Sequence, residues 1–183
     1  MSAGGVLAVA ALCREQTPHI QDVALGVAEL QLDFKRGVSG LLAVGTDGLV
    51  AVLRTQTEAV AKATLALGTV NMSFQMVEHT TAGITQATSL REALAALSEN
   101  EVDLDQILRE VDDARMKLQA AQQPTETALG LTGIHGQYGG QRLIEGLRTA
   151  TVRVQQVHDD LKRILMENRL IIHAVEDIDR DPT

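Results

Sequence analysis

From Leu143 the chain repeats an apolar residue at alternating steps of four and three: Leu143, Leu147, Ala150, Val154, Val157, Leu161, Ile164, Asn168, Ile171, Val175 and Ile178. Every position except Asn168 is apolar. A strand alternates with period two, so a seam of this kind requires a long helix with another helix laid along it. At ~1.5 Å per residue, a helix over 141–178 would be on the order of 55 Å long. Asn168 reads in two ways: as a seam asparagine that sets register or oligomer state, or as an asparagine at a bundle surface.

A second seam runs through Leu49, Leu53, Gln56, Val60, Ala63, Leu67, Val70, Phe74, Val77, Thr81 and Ile84. It predicts a helix over 47–86, broken or bent near Gly68 or Gly83. Composition agrees with long helices, since the chain is 45% hydrophobic and 2% aromatic, with 3 prolines. Such a chain lacks the aromatic strands on which β-sandwiches depend. The expected fold is all-α, an elongated antiparallel helical bundle or coiled-coil hairpin with long heptad helices, in a single domain over 1–183.

Boundaries follow from local chemistry. Thr17-Pro18 has the form of an N-cap followed by proline at the first helical position, predicting a helix over 17–37 that carries Ile20, Val23, Val27, Leu30 and Phe34 and stops at Gly37. The apolar run Val6–Leu12 before it reads as a short helix packed on the rest. Segment 38–53 reads as a helix junction, with a β-hairpin around Gly45 to Gly48 as the alternative. Ser89 to Glu92 and Ser98 to Glu101 both have the form of a capping box, so 89–122 is one helix or two short ones. Leu90, Leu94, Leu97, Leu104, Leu108, Val111 and Leu118 are its expected inward residues. Proline and repeated glycine mark 124–140 as a loop.

Charge excludes one class of partner. With 16 Lys and Arg against 24 Asp and Glu, the net charge is −8, the wrong sign for neutralising phosphates. Phe34, Phe74 and Tyr138 are too scattered to stack bases. Nucleic acid is therefore not an expected partner.

The residues carry no recognisable chemistry of catalysis. The Glu-x-x-His pairs of di-iron bundles and the His-Glu-x-x-His zinc pattern are both missing from the sequence, and the histidines His19, His79, His135, His158 and His173 are dispersed. His173 with Asp177 is the best local pair and reads as an exposed helical ion pair. Asp112-Asp113 and Asp159-Asp160 read as solvated helix faces. The glycines of 124–140 have no Lys-Ser or Lys-Thr after them, as a phosphate-binding loop would. Cys13 is the single cysteine and cannot form an internal disulfide, which suits a reducing compartment. No positive charge precedes Val6, so the N-terminus does not read as a signal peptide. Catalytic, cofactor and metal residues are accordingly expected to be none.

The helix, glycine-bearing loop and helix layout of 101–178, the Ala-, Leu-, Gln- and Glu-rich composition and the tail Leu170-Ile171-Ile172-His173-Ala174-Val175-Glu176-Asp177 resemble actinobacterial helical-hairpin proteins associated with type VII secretion. That family's turn carries Trp-x-Gly and its tail Tyr-x-x-x-Asp/Glu; this chain has no Trp, and His173 stands at the Tyr position. The resemblance implies secretion without a cleavable signal peptide, the alternative to the cytoplasm.

The expected function is therefore non-enzymatic: a helical interaction or assembly protein acting through a homo-oligomer or a helical protein partner. Its expected interaction seam is Leu143, Leu147, Val154, Val157, Leu161, Ile164, Asn168, Ile171, Val175 and Ile178. The alternative is a secreted, membrane-active helical effector that uses the apolar segment 38–53.

Overall fold

A computed structural model describes residues 3–42, 47–132 and 140–180. It is all-α: α1 spans Ala3–Leu42, α2 Asp47–Ala82, α3 Leu90–Thr132 and α4 Gly140–Arg180, with no strand among the described residues. Each helix is roughly 55–65 Å long at ~1.5 Å per residue. Each packs on two neighbours, in the cyclic order α1, α2, α3, α4 and back to α1.

Matched positions rise in one helix as they fall in its neighbour. On α3 and α4, Gln122 reaches Thr151, Arg148 reaches Glu126 and Arg169 reaches Glu101. On α1 and α4, Asp33 holds Arg142, and Gln16 lies beside Asp160 and Arg163. One core of buried side chains runs through the centre from Val6 to Val175.

Two of the helices, α1 and α3, extend well past the boundaries expected from local chemistry. Thr17-Pro18 does not start a helix, because α1 runs unbroken from the Val6–Leu12 segment through Pro18 and past Gly37 to Leu42. Proline in a helix interior costs ~3 kcal/mol. Val9, Cys13 and Gln16 before it and Ile20, Val23 and Val27 after it are all buried on one stripe. At ~1.5–3 kcal/mol per buried aliphatic side chain, that stripe outweighs the proline. Pro18 itself faces outward, and the Thr17 hydroxyl is shared between the Cys13 carbonyl and Glu78 Oε2 on α2.

The same competition decides α3. It is one helix through Pro124 to Thr132, so the loop expected over 124–140 is helical as far as 132, while 133–139 lie outside the described residues. Leu118, Ala121, Thr125 and Leu129 keep the buried stripe continuous across the proline. Only the first capping box caps a helix: Ser89 N donates to Glu92 Oε2, and Glu92 N donates to Ser89 Oγ, both at 3.2 Å. Ser98 and Glu101 lie inside α3.

The expected helix over 47–86 ends at Ala82 and passes through Gly68 without a break. The expected junction at 38–53 is α1 up to 42 and α2 from 47, with no hairpin among its described residues, and 43–46 lie outside them.

Candidate functional site

The seam expected to carry interaction lies on α4, whose hydrophobic residues repeat along one face. Leu143, Leu147, Val154, Val157, Leu161, Ile164, Asn168, Ile171 and Val175 are buried in this chain's own core, between α1 and α3. Ile178, at 38% exposure, lies outside it, in the last turn of α4. The structure therefore brings the seam together and covers it from within the chain.

Asn168 is the polar residue of that seam, and the structure makes it part of a buried polar layer. Its Nδ2 donates to the Leu97 carbonyl on α3 at 2.9 Å. One turn further along α3, Asn100 Nδ2 donates to Thr81 Oγ1 on α2 at 2.9 Å, and Thr81 Oγ1 donates to the Val77 carbonyl at 2.8 Å. Cys13 from α1 meets the same threonine. All four helices thus contribute to one level of the bundle. Asn100 Oδ1 and Asn168 Oδ1 are buried there without a hydrogen-bond partner.

Electrostatics at this level make the thiol inert. Burial pushes the Cys13 thiol up to about 11, opposed by the hydrogen bond with Thr81, reinforced by Glu78 and opposed again by Arg14. A thiol so placed is protonated near neutral pH and is not a nucleophile there.

Sequence reasoning finds Asn168, Thr81 and Cys13 and misses Asn100. Asn100 is buried on an α3 seam that runs Ala93, Leu97, Asn100, Leu104, Ile107, Val111, Ala114, Leu118, Ala121 and Thr125, with Thr125 buried at the seam's far end, away from this layer. The signal was the 4-3 spacing itself, hidden because alanines and polar residues occupy many of its steps. Leu90 is exposed, whereas Leu94 and Leu108 pack only at the core's edge.

The other candidates take plain roles. His173 faces Glu176 at 3.7 Å rather than Asp177. Asp112 pairs with Arg115 and Asp113 with Lys117 along α3. Among the described residues no three His, Cys, Asp or Glu side chains are placed to hold a metal ion. In segment 38–53, Leu41, Leu49, Val50 and Leu53 are buried in the core. No helix among the described residues is long and apolar enough to cross a membrane.

Between α1 and α4 lies a groove of about 330 Å³ bordered by Val23, Gly26, Leu30, Gly146 and Arg153. Its floor exists because Gly146 lets α4 approach α1: a Cβ there would lie 2.6 Å from Leu30 Cδ1.

Set against known protein families, curated proteins and solved structures, the chain matches none.

Proposed function

We propose that the protein is a non-enzymatic helical interaction and assembly protein, an elongated antiparallel bundle of coiled-coil character that acts by associating with itself or with a helical partner. The observation that carries this reading is the placement of its methionines. Met72, Met76, Met116 and Met166 all stand outward, at 71%, 63%, 56% and 57% exposure. Methionine is ordinarily a core residue, and on a surface its flexible, polarizable side chain suits adaptable contact with a partner. It is also enriched at protein interfaces.

Two features support the reading. The paired positions on neighbouring helices put helix sides more than 50 Å long, at ~1.5 Å per residue, on the outside of the molecule. The α4 seam holds the bundle itself together, which leaves partner contact to the outward faces of the helices.

Solution scattering with mass determination tests the proposal. An extended particle whose mass rises with concentration, or on adding a helical partner, supports it. A compact globular particle of one-chain mass, unchanged with concentration, overturns it.

A further inference from the structure

The ring of four helices closes where α1 meets α4, the one neighbouring pair whose members do not follow each other in the chain. That seam is sparsely bonded. Among the described residues one polar contact crosses it, Arg142 Nε to Asp33 Oδ2 at 3.2 Å. Between α3 and α4, by contrast, run Gln122–Thr151, Arg148–Glu126, Asn168–Leu97 and Arg169–Glu101. Gln16 Nε2 on α1 is buried beside Asp160 and Arg163 of α4 and meets no acceptor.

Taken alone, α1 is also the poorest helix of the four. It holds five glycines and Pro18, against two glycines in α2, one glycine and Pro124 in α3, and two glycines in α4. Glycine favours the unfolded backbone and proline lacks an N–H for the helical ladder, so α1 keeps its form only while it is packed.

We propose that α1 detaches from the bundle as one unit while α2, α3 and α4 stay folded, and that the trough it leaves takes α1 of a second copy, so that two chains pair by exchanging this helix. The proposal rests on the assembly reading above and adds a surface to it, the side of the α4 seam that α1 covers. The shape and charge of the trough name its occupant. Gly146 leaves room for Leu30, whose Cδ1 lies 2.6 Å from where a Cβ would stand, and Leu143 Cδ1 comes within 3.2 Å of the same position at Gly37. Arg142 pairs with an acid three residues after that leucine, Asp33, and on the other side of the trough Glu78 of α2 accepts from Thr17. The helix that meets all of these conditions is α1, and exchange makes each contact again between two chains. A tethered α1 closes on its own chain at low concentration, and exchange grows as the protein is concentrated.

Native-state hydrogen exchange on the full chain tests the detachment. The slowest amides of α1 exchange about tenfold or more faster than the slowest of α3 and α4, because partial opening is enough to release them. Leu108 lies on α3, which packs on α2 and α4 and not on α1. L108A therefore speeds exchange in α3 and α4 by about tenfold and leaves α1 unchanged. Amides of α1 that are as slow as those of α3, and that speed up with them in L108A, overturn the proposal.

D33R and R142D test the exchange by native mass spectrometry, with circular dichroism confirming that both fold. Either variant alone sets like charges together, whether α1 closes on its own chain or on another copy of that variant. In a mixture, an exchanged pair with one chain of each restores both opposite-charge contacts. That pair is expected to exceed its statistical share by about fivefold or more. A mixture without this preference overturns the proposal, and a wild-type mass that still rises with concentration then keeps the assembly reading through the outward faces. A one-chain mass for the wild type at every concentration overturns the proposal together with self-association as the protein's mode of action.

Discussion

Asn168 on α4 donates its side-chain amide to the main-chain carbonyl of Leu97 on α3 at 2.9 Å, while its own Oδ1 is buried without a partner. The residue is therefore half satisfied. A polar group of this kind in a heptad seam fixes the alignment of its helices at a cost in stability. The cost arises because Oδ1 lost its hydrogen bonds to water and gained none in return.

Asn168→Leu is accordingly expected to stabilise the protein by about 1 kcal/mol, since leucine fills a similar volume without the orphaned acceptor. The Leu97 carbonyl loses only a supplementary donor, because it lies within α3. Chemical denaturation with circular dichroism measures the change. A loss of stability of similar size would show that the single bond to Leu97 outweighs the unpartnered oxygen.

Thr81→Val acts in the opposite direction. Asn100 Nδ2 loses its acceptor while Asn100 Oδ1 already has none, so the whole amide is stranded in the core. The expected cost is about 1–3 kcal/mol. The pair T81V/N100L removes both partners and is expected to recover most of that loss, giving a coupling in a double-mutant cycle well above its error. Additive single effects would mean that the two side chains do not depend on each other.

Much of the fold is legible where the seam is written in Leu, Val and Ile. α4 and α2 are found to within a few residues on that basis. α3 is harder to read because Ala93, Asn100, Ala114, Ala121 and Thr125 take seam positions, and small or polar side chains look the same on the inside of a helix as on the outside. Pro18 and Pro124 carry local stop chemistry that is correct for an isolated helix, but burial on both sides of each proline is a property of the assembled bundle. The candidate site divides along the same line. Spacing alone locates Leu143 to Val175, yet the same spacing serves a helix of this chain or of another, and only the packed structure shows that α1 and α3 cover it.

Cys13 predicts a pH dependence. Its thiol is raised from 9.0 to about 11 in the folded protein, so the folded state disfavours the thiolate relative to the unfolded chain. The stability associated with the neutral thiol is fully present below pH 9 and is lost as the pH rises from about 9 to about 11. The loss amounts to roughly 2–3 kcal/mol at most. Denaturant midpoints measured across this interval should fall more steeply for the wild type than for Cys13→Ala, which has no thiol to titrate. Equal slopes would place the alkaline sensitivity elsewhere. In the same samples, a thiol reagent near neutral pH should label Cys13 only as fast as the bundle opens, because the side chain is fully buried.

Two glycines on opposite sides of the α1–α4 groove should respond to alanine with opposite signs. At Gly26 an added Cβ meets only the Arg153 guanidinium at 3.9 Å, an ordinary contact. Gly26→Ala then gains most of the helix-propensity difference, about 1 kcal/mol of added stability. At Gly146 the Cβ would lie 2.6 Å from Leu30 Cδ1, and Leu30 is itself buried in the core. The propensity gain is the same, but Leu30 must turn off its position against close-packed neighbours, at a cost of about 1–3 kcal/mol. Gly146→Ala is therefore expected to lower stability by up to about 2 kcal/mol. Shortening the obstructing side chain in the pair Leu30→Val with Gly146→Ala should return part of the loss, which separates a clash at this contact from any general intolerance of α4 to substitution. If Gly146→Ala stabilised the protein as much as Gly26→Ala, α1 and α4 would not be held at the separation that this glycine permits, and the groove between them would be a soft feature of the bundle.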